Sequence, residues 1–147
     1  EIRGVQPDSN DQLRARWGYD SGATFYTTAF SYRNAYLRTN NAAAGSQGDG
    51  IELGEFGVVD SSKGTFSADI RMIDISSTSS PYSATWDSTL LTTGGSVDPF
   101  SLTGVCVLNV DPTDTATNPQ PDTFRLYWDG GANFNALGTV KLYGVPL

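Results

Sequence analysis

Apolar and polar residues alternate with a period of two along much of this chain, and no stretch carries the apolar spacing of an amphipathic helix. The best-defined run sets Phe66, Ala68, Ile70 and Met72 against Ser67, Asp69 and Arg71. Leu13, Ala15 and Trp17 alternate with Gln12, Arg14 and Arg16, and Phe124, Leu126 and Trp128 alternate with Thr123, Arg125 and Tyr127. Successive side chains of a strand point to opposite faces, so each run describes a strand buried on one side. Weaker signals follow. Tyr32 and Tyr36 share a parity with Phe30 inside residues 24–38, and residues 51–59 read as a strand interrupted by Gly54 and Gly57. Residues 102–110 are apolar on both parities, which predicts a central strand covered on both faces. Val140 and Leu142 against Lys141 and Tyr143 form a last strand.

Residues 40–50, 76–99, 111–122 and 129–138 are rich in Gly, Pro, Ser, Asn or Asp and read as loops. Ile70 and Leu126 are expected in the core, in facing sheets. About eight strands separated by turn signals predict an all-β fold, an antiparallel two-sheet β-sandwich of jelly-roll-like form, in a single domain spanning residues 1–147. The chain opens at Glu1 without a methionine, which reads as a processed protein or an excised piece of a longer one.

Composition narrows the chemistry. The chain has no histidine, which removes the commonest general base and every His-ligated metal. Its single cysteine, Cys106, lies in the most apolar run and reads as a buried small hydrophobe. Sixteen acidic residues against nine basic ones give a net charge of -7, which disfavours nucleic acid as a partner. No apolar run approaches the ~18 residues of a membrane span, so no membrane insertion is expected. Neither a P-loop nor a Gly-x-Gly-x-x-Gly pattern is present, and no cofactor is expected. Paired carboxylates such as Glu52 and Glu55 could serve a hydrolase only if the fold set them across a cleft. Asp111, Asp114 and Asp122 crowd one loop, where calcium ligation and solvated turn chemistry remain open alternatives.

Two surfaces are candidates for binding. Tyr82, Trp86 and Asp87 stand in a polar stretch without period, and they supply the ring faces and the acceptor that a sugar needs. The competing reading folds the two aromatic residues inward as loop anchors. Arg14, Arg16, Arg71 and Arg125 all take the parity opposite the apolar residues of their strands, accompanied by Tyr127 and Tyr143. They either lay their stems over a sheet and pair with neighbours such as Asp69, or meet the acidic loops of a second copy of the chain.

The C-terminal run Asp129-Gly-Gly131-Ala-Asn133-Phe134, then Gly138-Thr and Leu142-Tyr143-Gly144-Val145, resembles the closing motif of β-sandwich domains that recur in tailed-bacteriophage virion proteins. Leu13-Arg-Ala-Arg-Trp17 with Tyr19-Asp-Ser-Gly22 up to Tyr26 looks like the early strand and loop of such domains, and residues 64–73 like their middle strand. The early loop lacks the Asn-Gly that precedes its Asp in the pattern, and the Pro-rich residues 111–122 stand outside it. The resemblance implies a non-enzymatic virion structural protein on the outer surface of the particle. It would be either a tail-fibre or spike domain facing the receptor in host attachment, or a capsid decoration protein. It also implies a homo-oligomer, a homotrimer by the habit of such modules, with other virion proteins and a host-surface glycan as partners. No catalytic residue is carried over. A carbohydrate-binding module or lectin is the alternative from a different class.

Overall fold

The computed structural model describes residues 1–28, 31–38, 43–54, 59, 61–62, 65–73, 81–91, 99–110 and 119–144. Among them there is no helix. The strands are β1 (Ile2–Val5), β2 (Leu13–Tyr19), β3 (Thr24–Phe25), β4 (Tyr32–Arg38), β5 (Ala43–Gly48) and β6 (Ile51–Glu52). They continue with β7 (Phe66–Ile73), β8 (Ser83–Leu91), β9 (Pro99–Leu108), β10 (Thr123–Trp128) and β11 (Thr139–Val140). Seven of them form one sheet in the order β11-β1-β7-β8-β9-β4-β5. In the other sheet β2 pairs with β10 along one edge and with β3 and β6 along the other. All pairings are antiparallel. The chain is thus an all-β, two-sheet antiparallel sandwich, as the alternation predicts.

The described residues hold eleven strands rather than the expected eight or so, and the additions have physical reasons. Residues 40–50 contain β5, whose register runs from Tyr32↔Gly48 to Leu37↔Ala43. Its alanines and glycines carry no apolar period, so only the pairing with β4 defines it. Within residues 76–99 lies β8, where Ala84, Trp86, Ser88 and Leu90 alternate inward. Serine at the inward position 88 hides that period, and it is tolerated there because its hydroxyl donates to the Leu53 carbonyl at 2.8 Å. The expectation for residues 102–110 is corrected. β9 is central in its sheet, yet it is covered on one face only: Leu102, Cys106 and Leu108 are buried, while Val105 is 40% exposed.

The core lies between the sheets. The Trp17 ring of β2 stacks on the Tyr32 ring of β4 with centroids 5.8 Å apart and planes 3° from parallel. The Tyr32 hydroxyl also accepts a hydrogen bond from the Trp17 backbone N–H at 2.8 Å. Buried Asn34 ties the same two layers, donating to the Gly50 carbonyl at 3.1 Å and accepting from the Glu52 N–H at 3.3 Å. Residues 49 and 50 therefore form a corner where the chain leaves the large sheet at β5 and enters the small one at β6. Neighbouring strands stand about 4.8 Å apart, so three strands abreast cannot cover the inner face of seven. The uncovered part falls beyond β10, and there Ile70 of β7 and Leu126 of β10, expected in the core, do lie in the two different sheets and pack against the core but are only half-buried.

Candidate functional site

The strand pleat decides the fate of the sugar-binding candidates. Tyr82 and Trp86 are 0% and 1% exposed, so neither can stack on a ligand. Asp87 is exposed on the opposite face of the same strand, where its carboxylate accepts from the Thr103 hydroxyl at 2.6 Å. Adjacent residues of a strand face apart, and residues 86 and 87 cannot share a site. Both aromatic residues do point inward, but Trp86 does so from strand β8 and Tyr82 from the residue before it, rather than as anchors of a loop.

The basic residues divide among separate places. Arg14, Arg16, Arg125 and Tyr127 lie on the outer face of the small sheet, in register as Arg16↔Arg125 and Arg14↔Tyr127. Arg71 lies on the outer face of the large sheet, paired across from Thr85. Tyr143 follows β11, and its hydroxyl donates to the Glu1 carboxylate at 3.0 Å. One parity in sequence therefore maps to two opposite outer faces, and the six residues do not form one patch.

On the small sheet the cations are held within the chain. Arg14 Nη1 lies 3.1 Å from Asp49 Oδ1 and 3.2 Å from Asp129 Oδ1. Arg16 Nε donates to the Asp49 carbonyl at 2.7 Å, and its Nη2 pairs with the Asp49 carboxylate. The Arg16 guanidinium lies over the Tyr127 ring, 4.3 Å from its centroid. Arg125 sits 5.4 Å from the Phe25 ring. Two guanidiniums directly opposite would repel, and the Tyr127 ring with the Asp49 carboxylate offsets this. Burial pushes the Tyr127 hydroxyl up to about 12. Gly50 permits the cluster, because a Cβ there would stand 2.7 Å from Tyr127 Oη and 3.0 Å from the Ala15 carbonyl. The sequence offers no means of finding Asp49, which comes from a corner between strands.

Removing Asp49 should expose the consequence. The side chains of Arg14 and Arg16 are only 19% and 17% exposed. Asp49→Ala leaves both without their shared carboxylate, and Asp49 is itself over a third exposed, so the expected loss is about 2 kcal/mol rather than the full cost of a buried pair. Chemical denaturation measures it; an unchanged midpoint would mean the pairing contributes nothing.

The remaining chemistry-bearing groups are structural in their surroundings. Cys106 is buried, and desolvation raises its thiol pKa far above neutrality. In the β2–β3 connection Asp20 and Ser21 both have positive φ, 57° and 55°, and the Gly22 N–H donates to the Tyr19 carbonyl at 3.2 Å. Positive φ at both central positions is the turn form that matches strand twist in a hairpin. Asp122 accepts from the Ser21 N–H at 2.8 Å, and this bond lowers its pKa. The rest of the candidate calcium loop, residues 111–118, lies outside the described residues. Among the described residues no three acidic or cysteine side chains gather to hold a metal ion.

One concavity does stand out, and no sequence pattern announced it. Between the inner face of β7 and the edge strand β10 lies a cleft of about 420 Å³, lined by Ile70, Met72, Phe124, Leu126 and Val140. Trp17 contributes to its wall, and the indole Nε1 of this residue is buried without an acceptor. Glu1, Asp122 and Lys141 stand among its lining residues. The apolar parity of Ile70, Met72, Phe124 and Leu126 is legible in sequence; that the two sheets leave a gap between them is not. A comparison of the chain with protein-family models, with curated proteins and with solved structures finds no match.

Proposed function

We propose that this chain is a non-enzymatic structural protein displayed on the outer surface of a tailed-phage virion, as a fibre or spike domain facing the host receptor. The observation that carries the reading is the ordered set of three motifs lying on an all-β sandwich. The closing motif also behaves as a structural device. Asn133 N–H and Nδ2 both donate to the Asp8 carboxylate at 2.9 Å, and the Phe134 ring lies 5.2 Å from Trp128. Asn135 Nδ2 reaches the Pro7 carbonyl at 3.1 Å. The loop thereby fastens the C-terminal segment to the connection between β1 and β2, which suits positions that maintain a scaffold rather than contact a ligand.

In this reading the protein is a homo-oligomer, a trimer by the habit of the family it resembles, and its neighbours are other virion proteins. A capsid decoration protein is the alternative within the same class. The lectin alternative loses its support with the burial of Tyr82 and Trp86. Gradient sedimentation of a lysate from the source culture tests the proposal. The protein should travel with intact particles, and antibody labelling in the electron microscope should mark their tails, or their capsids if it is a decoration protein. Protein that stays wholly in the soluble fraction overturns the reading.

A further inference from the structure

Three features coincide on the open side of the sandwich. Among the described residues β10 is an edge strand of the small sheet and β11 an edge strand of the large one, so both lips of the cleft end in strands paired there on one side. The cleft between them is apolar. Beside the β11 lip, Leu137, Val140 and Leu142 are 60%, 56% and 83% exposed. Large aliphatic residues gathered next to an apolar cleft mark a surface that another body covers.

The charges indicate which body. Lys141, on the large-sheet lip, makes no ion pair among the described residues, whereas the Glu1 carboxylate beside it is already held by Arg3 at 3.1 Å and by the Tyr143 hydroxyl. Asp122, at the foot of β10 on the small-sheet lip, accepts from Ser21 and Thr123 but meets no cation among the described residues. Opposite charges on opposite lips make the surface complementary to a second copy of itself, and a head-to-tail contact of this kind forms a ring where the rotation between copies closes. We infer that the open side is the interface between copies of this chain, with the Lys141 lip of one copy set on the Asp122 lip of the next. The apolar residues 137–142 of each copy then cover the cleft of its neighbour. The inference rests on the homo-oligomeric part of the reading above and locates its contact. It also moves that contact away from Arg14 and Arg16, which are already paired with Asp49.

The test compares the purified wild type with Leu137→Asp/Leu142→Asp, Arg71→Ala/Arg125→Ala and Lys141→Glu by light scattering at micromolar concentration. Both leucines are exposed, so their variant should keep the wild-type circular dichroism spectrum. The expected result is an oligomeric wild type and arginine variant, a monomeric leucine variant, and a Lys141→Glu variant with about tenfold weaker association, regained on adding Asp122→Lys. A monomeric wild type, or a leucine variant that assembles unchanged, overturns the inference; a monomer that instead takes up a small apolar dye in the cleft does so too. Particle sedimentation is read separately. Wild type bound to particles beside a leucine variant that still assembles sinks this interface and leaves the virion reading intact. Assembly through this face in a protein never found on particles does the reverse.

Discussion

Gly104→Ala is expected to destabilise the protein by about 3 kcal/mol, and the same change is expected to cost almost nothing once Trp86 has become alanine. Gly104 of β9 stands directly opposite Trp86 of β8, and the indole lies against it. A Cβ at position 104 would sit 2.3, 2.5 and 2.7 Å from three ring carbons of Trp86. No rotation within the core relieves this, because the ring is 1% exposed and hemmed in by a close-packed interior. The strands must separate, or the ring must leave its rotamer. Trp86→Ala alone removes the obstacle and leaves a cavity, at a cost of about 3–5 kcal/mol. Into that cavity the methyl added at position 104 fits, and it also restricts the unfolded backbone, which favours folding slightly. The double variant should therefore be no less stable than Trp86→Ala. Urea midpoints of the four proteins complete the cycle, and costs that simply add would show that the ring does not rest on Gly104.

This pair also marks how far the sequence could be read. Strands with apolar side chains on one parity, β2, β7 and β10, were visible because Leu13, Phe66 and Phe124 begin runs that nothing interrupts. β8 was not, since Ser83, Ser88 and Thr89 blur the contrast between its faces, and its inward Trp86 then looks like an isolated aromatic in a loop. β5 has no large apolar side chain and is defined by its pairing with β4. Parity states which residues share a face of one strand but not which sheet that strand joins. Arg71 and Arg125 could be told from their inward neighbours, yet nothing local places them on opposite outer faces. The cleft depends on the relative widths of two sheets, a property of topology that no window of sequence contains.

Asp11→Ala is expected to cost about 3–5 kcal/mol, with Asp11→Asn falling between it and the wild type. Asp11 is 6% exposed and sits before β2, outside any alternating run. Its Oδ1 accepts from the backbone N–H of Gln12 at 2.7 Å and of Gly130 at 2.8 Å, and its Oδ2 from that of Ala132 at 3.1 Å. Its own backbone bridges Val59 through two further bonds, at 3.4 and 2.8 Å. One carboxylate thus fixes the loop that follows β10 against the start of β2, and through that loop the closing segment that runs into β11. Alanine leaves three donors without an acceptor in a site largely closed to water, and each orphaned group carries a penalty of about 1–3 kcal/mol before relaxation. Asparagine with its oxygen at the Oδ1 position keeps two of the three bonds and points an amino group at the third donor. The ordering wild type, Asn, Ala in thermal or urea stability therefore reports on acceptor geometry rather than on volume, since Asn is nearly isosteric with Asp. Equal losses for the two variants would mean that the negative charge matters and the individual bonds do not. Faster amide exchange at Gly130 and Ala132 in the alanine variant, with β4 and β9 unaffected, would place the damage in the closing loop, where the hydrogen bonds are.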